Sequence, residues 1–170
     1  MSEIKQVLYD LRTNYKGPFV IEDFYEDIDH WIHEHGHEKE NKKKSEHVTK
    51  NGKKIQNVFE VHTHLDDFSH GIIVCRIYIE DMKEATITRN GRKIKINHGD
   101  ILVNVDAFVD AHHHGTFYQQ RPVFYMIRTV LDRFIWPFWG EKHDGTVNSQ
   151  GRELYKRIRS FLNTQKLKYE

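Results

Sequence analysis

An α+β domain is what this sequence predicts, and three patterns predict it. Asn51-Gly52 and Asn90-Gly91 each lie between segments of strand character, and Asn-Gly is a strong hairpin signal because both turn residues must accept positive φ. Ile101, Val103, Val105, Ala107, Val109 and Ala111 alternate with their neighbours and so share one face of a strand. Toward both ends, apolar residues recur at helical spacing instead, which places helices before and after the strands.

Taken in order, Ile4, Val7, Leu8 and Leu11 follow a helical period, so a first helix is expected over Ser2 to Tyr15, ended by Lys16-Gly17-Pro18-Phe19. Asp23 is the expected N-cap of a second helix that carries Phe24, Ile28, Trp31 and Ile32 on one face and stops at Gly36. The middle reads as an antiparallel meander of about six strands: residues 37–50, 53–64, 70–80 after the turn at Leu65 to Ser69, 84–89, 92–97 and 99–113. Pro122 suits the first turn of a further helix, where its missing N–H is no loss, with Phe124, Ile127, Leu131, Phe134 and Ile135 as its stripe. Trp136-Pro137-Phe138-Trp139-Gly140 is expected to break it. Asn148 or Ser149 then caps a last helix, with Leu154, Ile158, Phe161 and Leu162 inward and Arg152, Lys156, Arg157 and Arg159 in water. No linker or repeat divides the 170 residues, so one domain is expected over 1–170.

Composition bounds the function. A chain that is 38% hydrophobic, with 10 Phe, 8 Tyr and 3 Trp, has the apolar surface to fold around a core. With 26 basic and 25 acidic residues the net charge is +1, so attraction to nucleic acid or an anionic membrane has to be local. Cys75 is the only cysteine and lies in an apolar run, which leaves no internal disulfide, thiolate zinc cluster or CxxC pair and predicts a buried thiol. No apolar stretch has the length of a signal peptide core or a membrane span, so a cytoplasmic setting is expected. There is no Walker loop, dinucleotide glycine fingerprint or Gly-x-Ser-x-Gly elbow.

Three clusters carry candidate chemistry in this histidine-rich chain of 13 histidines. On a strand, Glu60, His62 and His64 project from one face. Asp110 and His112 project from the polar face of the last strand, beside Asn104 and Asp106, and imidazole with carboxylate suits zinc, iron or manganese. The competing expectation is a solvated sheet face without any ion. Lys42, Lys43, Lys44, Lys53 and Lys54 surround the first hairpin, where they would contact phosphates of RNA or a ribonucleoprotein, or guard an edge strand against aggregation. Trp136, Phe138 and Trp139 are candidate ligand or partner contacts, with core packing as the alternative.

The order of helices and strands from Phe19 to Leu162 resembles the helix-grip scaffold of START-like ligand-binding proteins, in which a curved antiparallel sheet wraps a long C-terminal helix. The resemblance implies an apolar cavity between sheet and helix and carries over no catalytic residue. The leading expectation is therefore a non-enzymatic binding module, taking a small apolar ligand in that cavity or a macromolecule such as RNA through the basic hairpin. The alternative is a metal-dependent enzyme built on the histidine and carboxylate face, and a structural adaptor using the aromatic run is third.

Overall fold

The computed structural model describes residues 2–67, 69–112 and 136–169. Five strands and two helices follow in the order β1 (Ser2–Phe19), α1 (Ile21–Glu34), β2 (Glu38–Thr49), β3 (Gly52–Asp66), β4 (Ser69–Arg89), β5 (Arg92–His112) and α2 (Trp136–Tyr169). The strands form one antiparallel sheet in the order β1-β5-β4-β3-β2. The fold is α+β, as the sequence predicts.

The expected first helix is a strand. β1 lies along β5, and its pairing slips between Gln6 and Leu8 and again between Leu8 and Leu11. Asp10 has φ 44° inside that irregularity. An extra residue in a strand advances its phase. Leu8 and Leu11 therefore face the same side, opposite Ala107 and Val105, although they are three positions apart. A bulged strand has here imitated the helical period.

Five strands stand where six were expected: two strands expected to break run on as β4 and β5, which leaves four of the six, and β1 is the fifth. β4 runs through a register shift between Glu80 and Lys83, with Asp81 at φ 51°, and β5 continues beside it. Gly99 passes so close that a Cβ there would lie 3.0 Å from the Glu80 carbonyl oxygen. The second hairpin turns on Asn90 and Gly91 at φ 50° and 75°, as a tight turn requires. At the first hairpin Thr49 pairs with Gly52, so Lys50 and Asn51 make the turn. Gly52 instead meets the β4 bulge, where a Cβ would lie 2.8 Å from Asp81 backbone.

The sheet has one packed face. Phe59, Val61, Ile73, Cys75, Ile77, Ile79, Val103, Val105 and Ala107 are fully buried there, and both helices lie over them. α1 buries Phe24, Ile28, Trp31 and Ile32 as expected. Its N-terminus is not capped by Asp23. Asn97 from β5 accepts the Ile21 N–H at 3.2 Å, while Gly36 at φ 65° ends the helix. α2 contributes Val147, Leu154, Ile158 and Leu162 to the core, and Phe161 sets its ring 5.9 Å from Phe24. Arg157, expected in water, reaches α1 and binds both carboxylate oxygens of Asp27 through Nε at 3.1 and 3.2 Å.

α2 also starts earlier than expected. Trp136 to Gly140, read as a break, form its first turns, where Pro137 is tolerated because it lacks only an N–H that would have no partner. Asn148, expected as a cap, donates its amide to the Val7 carbonyl beside the β1 bulge. The helix expected after Pro122 lies outside the described residues.

Candidate functional site

Alternation along each strand decides what the other, open face of the sheet carries. The even-numbered residues Glu60, His62 and His64 of β3 point there, as do Asn104, Asp106 and Asp110 of β5, so the two polar rows do share a face. They do not converge. β4 lies between them, and two strand spacings put facing residues about 9–10 Å apart. Each row across the sheet is distinct: Glu60 meets Val74 and Asp106, His62 meets Ile72 and Phe108, and His64 meets His70 and Asp110. His112 pairs with Ser2 at the end of β5. The five expected ligands thus do not form one site.

Glu60 and His62 belong to a cluster with β2. Glu40 is directly opposite Glu60, and the register then shifts between Asn41 and Lys43, leaving Lys42 as the extra residue of a bulge. Lys42 Nζ lies 2.8 Å from Glu40 Oε1 and 3.1 Å from Glu60 Oε2. His62 Nε2 lies 3.3 Å from Glu40 Oε2 and 3.4 Å from Glu60 Oε2. The hydrogen bond from Lys42 holds the Glu40 carboxyl below its ordinary range, and the same bond raises Lys42. Glu40, Glu60 and His62 can offer three ligand atoms within 4.8 Å of one another.

His64 and His70 lie with ring centroids 5.2 Å apart, and His143 of α2 reaches Asp66 at 2.8 Å. His70 is a contact that the sequence reading missed; the pairing of Asp66 with Ser69 brings it opposite His64. At the centre of the face, Arg76 donates to Asn104 at 2.8 Å and pairs with Asp106, which also accepts the Asp10 N–H at 2.7 Å. Buried Asn104 and Asp106 are thus partnered, and the network holds the β1 bulge against β4 and β5.

The lysine hairpin is largely neutralised. Besides Lys42, Lys53 reaches Glu46 at 3.2 Å and Glu84 at 3.7 Å, and Lys54 reaches Glu80 at 3.4 Å. Lys43 and Lys44 are exposed and make no ion pair among the described residues. β2 is an edge of the sheet, where such lysines discourage pairing with another chain. Trp136, Phe138 and Trp139 lie in the first turns of α2.

A more concentrated positive surface lies between β1 and α2. Arg152, Lys156 and Arg159 follow one another at helical spacing along a groove that Leu11 and Tyr155 also line, with a volume of about 400 Å³. A contiguous depression of about 300 Å³ brings in Arg12 and Asn14 from the strand. Tyr155 donates its hydroxyl to the Arg12 carbonyl at 2.9 Å, which fixes its ring in the groove. Lys156 and Arg159 make no ion pair among the described residues. These cations were legible in the sequence; their groove was not, since β1 was expected to be a helix.

No protein-family model matches the chain, and none of the curated proteins is similar to it. No described helix is long and apolar enough to cross a membrane.

Proposed function

We propose that the protein is a non-enzymatic binding module that holds the phosphate backbone of RNA in the groove between β1 and α2. The observation that carries this reading is the line of Arg152, Lys156 and Arg159 beside Tyr155, in a groove where these cations meet no carboxylate among the described residues. A helix rises 1.5 Å per residue, so the three charges span roughly 10 Å, enough for neighbouring phosphates. Tyr155 adds a ring on which a base can stack. The hairpin lysines are a weaker candidate because Glu40, Glu46, Glu60, Glu80 and Glu84 already pair with Lys42, Lys53 and Lys54. An apolar ligand in the helix-grip manner finds little support among the described residues. At Gly151 α2 lies so close on the sheet side that a Cβ would meet Leu8 at 2.7 Å.

Fluorescence anisotropy with a labelled single-stranded RNA of mixed sequence tests the reading. Three neutralised phosphates predict a slope of log K against log salt of about −2. Arg152→Glu/Lys156→Glu/Arg159→Glu should abolish binding, whereas Lys43→Glu/Lys44→Glu should change it by less than about threefold. RNA binding that ignores salt, that survives the α2 triple variant, or that is missing at low salt overturns the proposal. Far-ultraviolet circular dichroism confirms that the variants, all at exposed positions, remain folded.

A further inference from the structure

We propose that Glu40, Glu60 and His62 form a zinc site on the open face of the sheet, with Lys42 as a built-in competitor for the metal. The site rests on distances that do not depend on the RNA reading. In a regular tetrahedron with metal-to-ligand bonds of about 2.0–2.1 Å, neighbouring ligand atoms lie about 3.3–3.4 Å apart. His62 Nε2 lies 3.3 Å from Glu40 Oε2 and 3.4 Å from Glu60 Oε2. The nitrogen is sealed from water yet makes no hydrogen bond to either oxygen. Two of the three ligand-to-ligand distances thus match tetrahedral spacing, and all three atoms lie within 4.8 Å of one another.

The fold supplies this convergence cheaply. Glu40 and Glu60 are cross-strand partners, and His62 follows Glu60 on the same face. No loop has to close. The chemistry selects zinc, because one imidazole and two carboxylates form a borderline set and three protein ligands leave a fourth position for water. Magnesium prefers an all-oxygen octahedron filled out with water, so the imidazole nitrogen disfavours it.

Lys42 adds the regulation. Its bulge aims the ammonium at Glu40 and Glu60, so the two carboxylates already hold a cation of lower charge. Zinc binding must displace that ammonium, which can swing into water because the Lys42 side chain is 39% exposed. Removing Lys42 should therefore strengthen zinc binding. If Lys42 instead served to position the two carboxylates for the metal, its removal would weaken binding.

Zinc competition against a chromophoric indicator, on chelator-treated full-length protein at pH 7.5, reads the site directly. Wild type should bind one zinc, and magnesium in excess should not displace it. His62→Ala and Glu60→Gln should each weaken binding by at least about tenfold, and Lys42→Met should tighten it by about three- to tenfold. His64→Ala should leave it within about twofold, which separates this site from the neighbouring His64/His70 pair. As a second readout, zinc should shift the His62 ring resonances in a histidine-edited NMR spectrum. Zinc binding that survives His62→Ala, binding weakened by Lys42→Met, or no uptake of zinc overturns the proposal. Failure here leaves the RNA groove untouched, because none of these residues lines it.

Discussion

Replacing Gly71 by alanine would place a methyl group against the helix that covers the sheet. The Cβ would lie 2.6 Å from Val147 Cγ2 and 3.4 Å from Thr63 Cβ. The backbone at Gly71 is not in the left-handed region, so alanine suffers no strain there and gains about 0.5–1 kcal/mol over glycine in a strand. The clash runs the other way. Val147 is fully buried and, on a helix, its branched side chain has essentially one rotamer. It cannot turn aside, so α2 must shift, at an overpacking cost of about 1–3 kcal/mol. The net expectation is a loss of about 0.5–2 kcal/mol. Gly151→Ala provides the contrast, since its Cβ meets the flexible end of Leu8 at 2.7 Å. There the helix gains about 0.8–1 kcal/mol from alanine while Leu8 pays about as much in rotamer strain, so the change should be near zero. Urea unfolding with an unchanged m-value measures both. Val147→Ala alone should cost about 2 kcal/mol, and about 1 kcal/mol less in the Gly71→Ala background, where the new methyl fills the space. A neutral Gly71→Ala, or strict additivity in the double variant, would refute the close docking of α2 on β4.

Two further expectations follow from buried groups. Burial first, and His35 beside it, lower the pKa of His37, against the opposing pull of Glu153; Thr63 and Trp31 complete its surroundings. The folded state thus prefers neutral His37, the unfolded chain takes up a proton near pH 6.5, and stability should fall as pH drops below that value. In urea titrations from pH 7.5 to 5, His37→Gln should flatten this decline and Glu153→Gln should steepen it; an unchanged slope in both would dismiss the assignment. Cys75 is fully buried and its thiol is pushed up to about 12 by desolvation. A thiol reagent should therefore label it at the rate of unfolding, and rapid labelling of native protein would contradict its placement.

What could be read from sequence follows the reach of the interactions involved. Alternation in residues 101 to 109 is a local consequence of one buried face, and it places the β5 core without further knowledge. The Asn90-Gly91 turn is equally local. β1 was misread because the bulge at Asp10 brings Leu8 and Leu11 to one side, and only the pairing with β5 reveals it. Sites suffer most from such gaps. Glu60 and His62 are placed by their own strand, but Glu40 joins them only through the register of β2, and Lys42 only through a bulge. Asp110 and His64 could be assigned a common face, whereas their separation by His70 needs the strand order.

The pairing of β1 with β5 also sets an order of events for the growing chain. Phe19 has to find Asn97 and Ser2 has to find His112, while β3, β4 and β5 each pair with the strand made just before. At ribosomal rates of about 5–20 residues per second, β1 waits roughly 5–20 s for a partner. Throughout that interval its ladder groups are open to any other strand. Leu8 and Leu11 then cannot be shielded by β5, and Gln6, Asp10 and Arg12 keep a polar rim on the waiting segment. The meander can form early from contacts between neighbours, and capture of the first strand by the last comes late, because closing a long loop delays its reward. Crowded synthesis is thus the condition in which this chain is most open to mispairing.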